Sequence, residues 1–563
     1  MVTISPQWVI KGHVDPALLP GTKFSSTFRS LMWSRGIEDP DELMSFLCPH
    51  LGQLRNPIAM KGIPRACERI VEAIKAEETI GVFTDYDVDG VCSAALLHRF
   101  LVQIGCRPPM IFIPDRITEG YGLNMRGIKE LHDEGVTLLI TADCGITARQ
   151  EVAYAGSLGM SVIITDHHEP NGLVPDAHSV INPKQSGCMF KGEDLCGAGV
   201  VFHLIVALRT LLRELGWNNL PNLRDELDLV AMATVADAVS LDGVNRILVK
   251  EGLNVLNSSG RVGISALVKV SGIRKEVLSR DLGFILSPRI NAAGRIADAK
   301  KAFHLLTTQH EQEAILLATE LDKLNRLRQM HEQKVIEQAL NFLEESHQLE
   351  GVTVVAHQDW HIGVLGIVAS RLVSLFSRPA IVLSIVKGVG IGSGRSISGI
   401  DLHASLSEVS DLLREYGGHK MAVGLSIDEE NIANFSLALN EVILRESTDM
   451  ASPFEVDLQI SPLDLTPALM DELELLSPFG EGNPEPVFYM PGMEIVSRRK
   501  DKSGMVKLIL RHSNRTFHTL RCSLDDKVSL PKTHLDVAFT PIKLRLNGHS
   551  YLYLALKAVA PGS

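Results

Sequence analysis

The stretch GVFTDYDVDGVCSAALL, residues 81–97, carries Asp85, Asp87 and Asp89 on alternate positions. Three carboxylates this close together repel one another, so the run indicates a bound cation. The spacing matches the start of an EF-hand calcium loop, which requires a bidentate Glu at its twelfth position. Counted from Asp85, that position is Leu96. The preceding TIGVFTD is typical of a buried strand, whereas an EF-hand loop follows a helix. The stretch therefore predicts a different metal site, placed at the end of a strand.

The length and composition are typical of a multidomain globular protein. The 563 residues are too many for one hydrophobic core, and they predict about three or four domains. The start of the chain lacks the basic and apolar segments of a signal peptide, and no run approaches the roughly 18 apolar residues of a membrane helix. The eight cysteines form no C-x-x-C pair. We therefore expect reduced thiols and a cytoplasmic protein that does not bind membranes.

Charge is unevenly distributed along the chain. The net charge is −12, yet residues 497–563 contain 13 Lys and Arg against 4 Asp and Glu. A basic terminal segment on an acidic body indicates contact with a polyanion, or else a solvated basic face without a partner.

Strands alternate with amphipathic helices between about residues 75 and 240. The predicted strands are ETIGVFTD, PMIFIPD, VTLLITAD and SVIITDH, and helical segments separate them. This alternation predicts parallel βαβ units, and therefore an α/β fold with a doubly wound parallel sheet.

The remaining segments complete a predicted organisation into five parts. Residues 311–345 contain no Gly or Pro and have helical periodicity, which predicts a long helix connecting two lobes, or else a bundle helix within one domain. Short alternating strands near the end of the chain predict a small antiparallel barrel of the OB type. The predicted parts are a lead-in (1–65), the first α/β domain (66–310), the connecting helix (311–346), a second α/β domain (347–448) and the barrel domain (449–563).

Acidic and imidazole side chains follow several of the predicted strands. In open α/β sheets, ligands bind outside the carboxyl ends of the strands, so these groups are expected in one crevice. Each alone is equally a helix cap or a turn former, but strands that independently end in Asp or Asp-His-His predict a shared metal site. The groups are Asp85, Asp87, Asp89, Asp143, Asp166, His167 and His168, together with Asp237 from a later helix.

The ligand types indicate which metal and which chemistry. Carboxylates with one or two imidazoles and no thiolate favour Mn²⁺ or Mg²⁺, with zinc or cobalt as alternatives. The number of carboxylates suffices for two ions, an arrangement suited to phosphoryl chemistry. The sequence contains no Walker A motif and no G-x-S-x-G elbow, which argues against a nucleotide motor and against acyl transfer.

At this point the motifs resemble those of the DHH phosphoesterase superfamily. DYDVDG, ADCGI, DHH and VADAVSL resemble its four motifs in order, and YGGHKMAVGLSI (416–427) resembles the G-G-H-x-x-A-x-G signature of the associated DHHA1-type domain. SPRINAAGRI (287–296), WHIGVLGIVASRL (360–372) and GSGRS (392–396) narrow the resemblance to the bacterial single-strand-specific exonucleases.

The resemblance implies roles for individual residues. Asp143 and Asp237 are candidates to bridge two ions, and His168 corresponds to a histidine that faces the phosphate, with a structural role as its alternative. Asp85 is a ligand or orients Asp87. Phe83 stands where some members have a further histidine. The implied metal ligands are Asp87, Asp89, Asp143, His167 and Asp237, and these residues with His168 form the implied catalytic set.

The second α/β domain is expected to hold the nucleic acid. The glycine-rich GVGIGSGRSISG offers backbone amides, the Ser393 hydroxyl and the Arg395 guanidinium as a phosphate-binding nest. For each arginine the alternative is an ion pair between the lobes. The expected substrate-binding residues are Arg116, Arg289, Arg295, Ser393, Arg395 and His419.

The resemblance implies a metal-dependent exonuclease. It would degrade single-stranded DNA from 5′ to 3′ into mononucleotides, in DNA repair and recombination, as a monomer that works with a single-strand-binding protein or a helicase. One alternative is a DHH phosphodiesterase acting on short oligoribonucleotides or cyclic dinucleotides, whose relatives usually lack a basic barrel. The non-enzymatic alternative is a replication scaffold, which would have no need for mutually repelling carboxylates.

Overall fold

The computed structural model describes residues 3–4, 8–190, 194–345, 349–446, 454–502, 504–522, 533–546 and 549–562. The chain forms two compact units. One comprises residues 1–54, 240–250 and 451–563, and the other comprises residues 55–239 and 251–450.

The strands and helices are numbered in chain order. The strands are β1 (Thr3–Ile4), β2 (Trp8–His13), β3 (Thr79–Thr84), β4 (Met110–Phe112), β5 (Val136–Ala142), β6 (Ser161–Thr165), β7 (Ser179–Ile181), β8 (Thr353–His357), β9 (Ala380–Val386), β10 (Val389–Arg395), β11 (Glu415–His419), β12 (Ala422–Asp428), β13 (Phe454–Gln459), β14 (Phe488–Lys500), β15 (Val506–His512), β16 (Arg515–Thr519), β17 (His534–Leu546) and β18 (His549–Pro561). The helices are α1 (Ser26–Ser34), α2 (Pro40–Leu47), α3 (Ile63–Lys75), α4 (Val88–Gln103), α5 (Met125–Asp133), α6 (Arg149–Ser157), α7 (Gly197–Glu214), α8 (Leu227–Ala236), α9 (Gly243–Ser259), α10 (Val262–Ser271), α11 (Ser279–Asp281), α12 (Ser287–Ile296), α13 (Lys300–Thr307), α14 (Glu311–Glu345), α15 (Leu365–Phe376), α16 (Leu402–Glu408), α17 (Ile432–Glu446) and α18 (Pro467–Glu474). A π-helical turn, Leu282–Leu286, precedes α12.

The first sheet confirms the predicted doubly wound fold. Its strand order is β4-β3-β5-β6-β7, and every pairing in it is parallel. The strands are almost entirely buried, as expected for a parallel sheet covered by helices on both faces. The chain leaves β3 toward β4 on one side and returns to β5 on the other. The carboxyl ends of β3 and β5 therefore border the crevice in which such sheets bind ligands.

The predicted connecting helix is present as α14. Ala314, Ala318 and Leu321 of its first half are buried. Its second half contributes Val335 and Ile336 to a core shared with α15 and β9. Because the two halves of the helix are buried in different surroundings, α14 joins two lobes.

The second α/β domain is built on a mixed sheet. The order is β11-β12-β10-β9-β8, with β8 and β9 parallel and the other pairs antiparallel. The glycine-rich segment expected to form a phosphate-binding nest is the inner strand β10, which pairs with β9 on one side and β12 on the other. The nest prediction is wrong for this segment, because backbone amides between two antiparallel neighbours are engaged in the sheet.

The C-terminal strands confirm the predicted OB-type barrel. Strands β14, β15, β16, β18 and β17 pair in a closed ring, since β17 pairs with both β14 and β18. The pair β16–β18 is parallel, so the barrel is not wholly antiparallel as the sequence predicted. Strand β13 extends the sheet beside β14, and the N-terminal strand β2 pairs in parallel with β13. Leu31 and Leu43 share one apolar core with Leu458 and Leu508. The sequence predicted residues 1–65 as a separate lead-in and did not predict this grouping.

The predicted boundary between residues 448 and 449 lies outside the described residues. Within the described parts of the chain, no helix has both the length and the apolar character needed to cross a membrane.

Candidate metal centre

The fold brings the predicted acidic and imidazole groups together at the carboxyl end of the first sheet. Asp85 and Asp87 follow β3, Asp143 follows β5, His167 follows β6, and Asp237 caps the end of α8. Candidate ligand atoms lie within 4.8 Å of one another in three groups: Asp85, Asp87 and Asp143; Asp89, His167 and Asp237; and Asp143, His167 and His168. Asp143 and His167 each belong to two of these groups, so the three groups form one continuous cluster.

Two helix N-termini hold the first acidic motif in place. The Asp87 carboxylate caps α4 by accepting a hydrogen bond from the Gly90 amide at 3.1 Å. The Asp89 carboxylate accepts hydrogen bonds from the amides of Gly197 and Ala198, at the start of α7, at 2.6 and 2.7 Å. A Cβ at Gly90 would lie 2.5 Å from the Asp85 carbonyl oxygen. The close turn at this position therefore requires a glycine.

Asp143 occupies a strained position in the centre of the cluster. Its φ of +62° lies in the left-handed region, which is uncommon for residues other than glycine. A Cβ at Gly197 would lie 2.7 Å from the Asp143 Cβ, so α7 closes directly over the side chain. Backbone strain of this kind is typical of functional sites.

The His167 ring faces three carboxylates. Its Nε2 lies 3.1 Å from Asp143 Oδ1, 3.6 Å from Asp237 Oδ2 and 3.7 Å from Asp89 Oδ2. Burial lowers the pKa of His167 to about 4, with the charge of His168 acting in the same direction. A neutral imidazole is the form that ligates a metal.

Several buried polar atoms of the cluster have no hydrogen-bond partner. They are Asp85 Oδ1, Asp143 Oδ1 and both ring nitrogens of His167. Unsatisfied buried polar atoms are costly and rare in native proteins. Asp143 Oδ1 and His167 Nε2 lie 3.1 Å apart, and the cluster offers only carboxylate and imidazole ligands. The residues therefore fit divalent cations such as Mn²⁺ or Mg²⁺.

Burial, together with the charges of neighbouring carboxylates, raises the pKa values of four carboxyl groups in the cluster. Burial and the charge of Asp87 raise the pKa of Asp89 to about 7. Burial, followed by the charges of Asp89 and Asp87, raises the pKa of Asp237 to about 9. Burial and neighbouring carboxylates raise the pKa values of Asp85 and Asp143 well above the ordinary range. The metal-free cluster therefore holds protons that a cation would displace.

His168 is oriented by a buried carboxylate. Its Nδ1 lies 2.7 Å from Asp166 Oδ1. Asp166 also accepts hydrogen bonds from the backbone amides of His167 and His168. Burial lowers the pKa of His168, but the hydrogen bond and charge of Asp166 outweigh burial and raise it. The Tyr121 hydroxyl lies 3.1 Å from the same Nδ1 and donates to the Asp143 carbonyl at 3.2 Å.

Three predicted arginines form a cationic group. The Arg116 guanidinium stacks over the Tyr86 ring at 4.9 Å, and its charge contributes to lowering the pKa values of Arg295 and Arg395. Burial is the larger cause for both, and it lowers the pKa of Arg295 to about 9. In the described part of the chain, no carboxylate lies within ion-pair distance of these three side chains. A group of half-buried cations that lack an ion-paired carboxylate is suited to an anion.

The other expected substrate residues differ in their surroundings. Ser393 lies half-buried on β10. His419 is exposed at the end of β11, and burial of its ring, followed by the charges of Arg395 and His168, lowers its pKa. Arg289 is not part of the cationic group. Its guanidinium pairs with Asp322 of α14 at 2.9 Å and donates to a backbone carbonyl, which is the ion-pair alternative foreseen from the sequence.

Family models match three segments of the chain. Residues 79–234 match the DHH family, N-terminal domain; residues 349–445 match the DHHA1 domain; and residues 456–558 match the RecJ OB domain. The order of the three matches is the order predicted from the motifs.

Individual proteins extend the match over most of the chain. The single-stranded-DNA-specific exonuclease RecJ of Escherichia coli is 37% identical over 491 residues, covering 84% of this chain and 84% of the relative. The chain belongs to the RecJ family of single-stranded-DNA-specific exonucleases. RecJ of Bacillus subtilis is 40% identical over 493 residues, which is 86% of this chain but only 61% of that longer relative.

Solved RecJ structures agree with the fold and with the choice of metal. RecJ of Thermus thermophilus in complex with Mn²⁺ has a TM-score of 0.84 at 31% identity, covering 99% of this chain and 80% of that one. The same protein in complex with Mg²⁺ has a TM-score of 0.78 at 28% identity. The predicted family, the nuclease class and the Mn²⁺ or Mg²⁺ cofactor are thereby confirmed.

Two groups near the cluster were not assigned roles from the sequence. Asp166 was recognised only as one of several strand-end residues, although it fixes the His168 ring. Tyr121 gave no signal in the sequence, because its position beside His168 depends on the loop after β4.

Proposed function

We propose that this protein hydrolyses single-stranded DNA from the 5′ end and releases mononucleotides, in DNA repair and recombination. The observation that carries the proposal is the position, within one compact unit, of an arginine group beside a carboxylate–imidazole cluster. Among the described residues, no carboxylate forms an ion pair with these arginines. The cluster is suited to hydrolysing a phosphodiester bond. The arginines are suited to binding the terminal phosphate next to the bond that is hydrolysed.

The cluster would hold two divalent ions. Asp87, Asp89, Asp143, His167 and Asp237 are the proposed ligands, with Asp143 and Asp237 shared between the ions. When bound, the ions neutralise the carboxylates and supply the Lewis acidity that phosphodiester hydrolysis requires. Candidate ligand atoms of Asp85, Asp87 and Asp143 lie within 4.8 Å of one another. Asp85 would therefore either bind an ion itself or orient Asp87.

His168 would act on the phosphate. Asp166 holds one ring nitrogen and favours the protonated ring. A protonated imidazole donates a hydrogen bond to a phosphoryl oxygen and stabilises the charge that develops there. Tyr121 limits rotation of the same ring through its contact with Nδ1.

The arginine group would bind the 5′ end of the strand. Arg116, Arg295 and Arg395 present guanidinium groups that match phosphate oxygens, and Ser393 and His419 lie on the same sheet as Arg395. His419 is near both Arg395 and His168, so the proposed end-binding group and the proposed phosphate-facing histidine belong to one site.

The barrel would bind the DNA further along the strand. OB-type barrels bind single strands by charge and base stacking, and a barrel of this kind distinguishes the chain from phosphodiesterases of short oligonucleotides. A single-strand-binding protein or a helicase is the proposed partner class, with the protein acting as a cytoplasmic monomer.

The direct test uses long single strands labelled at either end, with and without Mn²⁺. We expect release of labelled mononucleotide from the 5′ end first and no activity with chelator. Asp143→Ala should reduce the rate by several orders of magnitude, because it removes a shared ligand, while the fold is retained by circular dichroism. Near-normal activity of Asp143→Ala, or release from the 3′ end first, would contradict the proposal.

A further inference from the structure

The segment WHIGVLGIVASRL places two glycines against the arginine group. The Gly363 carbonyl accepts a hydrogen bond from Arg295 Nη1 at 3.2 Å. A Cβ added at Gly366 would lie 2.8 Å from Arg395 Nη2, 3.4 Å from Cζ and 3.7 Å from Nη1. The Arg395 guanidinium therefore occupies the space that a side chain at position 366 would fill.

Gly366 has no conformational reason to be a glycine. It is the second residue of helix α15, and its φ lies outside the left-handed region. Glycine is a poorer helix former than alanine. The three nearest atoms that a Cβ would meet all belong to Arg395, so the close approach of this one guanidinium explains the residue.

One hydrogen bond orients the guanidinium, and the absence of a side chain at Gly366 leaves it space. Arg395 Nη1 donates to the carbonyl of its neighbour Gly394 at 2.8 Å, and Gly366 leaves room for the opposite part of the group. In the described residues no carboxylate lies within ion-pair distance of it. A guanidinium without a carboxylate in ion-pair distance is suited to binding an anionic ligand.

We propose that Gly366 is a positioning residue for recognition of the 5′ end, since its missing side chain lets Arg395 lie against the first turn of α15 and point at the terminal phosphate. The inference rests on the proposed function, in which Arg395 binds that phosphate. It assigns a role to the WHIGVLG segment, which contains no acid or base suited to the chemistry except His361.

Gly366→Ala separates positioning from stability. The atoms that a new methyl group would displace are the end of a flexible side chain, so the fold absorbs the change by moving the guanidinium. Alanine is also the better helix former. We therefore expect an unchanged or slightly raised Tm. The preference for a 5′-phosphorylated strand over a 5′-hydroxyl strand, measured as the ratio of kcat/KM values, should fall roughly ten- to hundredfold, which is the range for lost hydrogen bonds to charged groups.

The experiment compares Gly366→Ala, Gly366→Ser, Arg395→Ala and the double variant Gly366→Ala with Arg395→Ala, each as the full chain with Mn²⁺. Gly156→Ala is the matched control, because Gly156 is also helical and a Cβ there meets nothing within 4 Å. The two substrates have the same sequence and differ only in the 5′ group. The inference predicts that the double variant has the same ratio as Arg395→Ala alone, because Gly366 acts only through Arg395.

The outcomes distinguish this inference from the proposed function. If Arg395→Ala lowers the ratio and Gly366→Ala does not, the inference fails and the function of Arg395 stands. If neither changes the ratio, the assignment of Arg395 fails and the inference falls with it. A Tm that drops for both Gly366 variants but not for Gly156→Ala would show that the glycine is structural. Persistence of the Gly366→Ala effect without Arg395 would also overturn the inference.

Discussion

Asp237 illustrates how a single side chain links the metal centre to stability. It caps α8 and lies among carboxylates, and burial with the charges of Asp89 and Asp87 raises its pKa to about 9. The unfolded chain loses the same proton near the ordinary Asp value of about 4. The metal-free folded state therefore holds a proton that the unfolded state has lost, and its stability falls as the pH rises through this window.

Asp237→Asn should consequently stabilise the metal-free protein at alkaline pH. We expect its Tm in the presence of chelator to exceed that of the unmodified protein at pH 8.5 and to match it at pH 4.5, because the neutral amide needs no proton. Asp176→Asn, at an exposed position, is the control and should show no such pH dependence. Equal Tm values for Asp237→Asn and the unmodified protein at both pH values would contradict the electrostatic account of the cluster.

The acidic residues of the site were predictable because their chemistry is local. Asp85, Asp87 and Asp143 follow strands of recognisable composition, and a parallel sheet necessarily gathers the carboxyl ends of its strands. The ion pair of Arg289 was not predictable in this way. Its partner Asp322 lies 33 positions later on α14, and only the packing of α12 against α14 decides whether the arginine faces the substrate or the helix.

At the scale of elements, β10 shows why a glycine-rich segment predicted as a phosphate-binding nest is instead an inner strand. Glycines on alternate positions suit a phosphate-binding loop, but here Gly390, Gly392 and Gly394 all face the buried side of the sheet. A Cβ at Gly392 would lie 2.4 Å from a Leu383 methyl and 2.7 Å from the Val382 carbonyl oxygen. These glycines allow close packing within the domain, which no local pattern distinguishes from close approach to a ligand.

Gly392→Ala is therefore expected to affect stability more than binding. Overpacking of this kind typically costs about 1–3 kcal/mol, and the nearby backbone oxygen cannot move as a side chain can. Gly424→Ala on the neighbouring strand β12 is the control, because its Cβ would meet only one atom, at 4.0 Å. Urea unfolding of both variants tests the account. A phosphate-binding nest would give the reverse pattern, with intact stability and weakened binding of 5′-phosphorylated DNA.

At the scale of the whole molecule, the barrel domain includes distant parts of the chain. Arg246, in the segment 240–250, donates to the carbonyl oxygens of Phe46 and Ser477 at 2.8 and 3.1 Å. Leu31 and Leu43 of the N-terminal segment lie in the same core as Leu458. Removing residues 451–563 would therefore expose apolar surface elsewhere, so a truncation cannot isolate the contribution of the barrel to DNA binding.

Charge substitutions on the barrel surface avoid this difficulty. Arg498 and Arg499 are exposed near the end of β14, and Lys502 is exposed just beyond it. Arg511 of β15 differs from them, because it pairs with Glu494 at 2.8 Å. All four residues belong to the basic segment 497–563. The structure indicates that the first three are better placed than Arg511 to neutralise phosphates.

The triple variant Arg498→Ser, Arg499→Ser and Lys502→Ser should weaken binding to long single strands and flatten the salt dependence. Each lost phosphate contact changes the slope of log K against log salt by about 0.7 for a single strand, so the three together should reduce it by about 2. Turnover of very short oligonucleotides should remain unchanged, because the metal centre belongs to the other compact unit. Arg511→Ser is the matched control, with a smaller expected effect. The slope is measured by affinity titrations from low to high salt. An unchanged slope in a folded triple variant would mean that this surface of the barrel does not contact DNA.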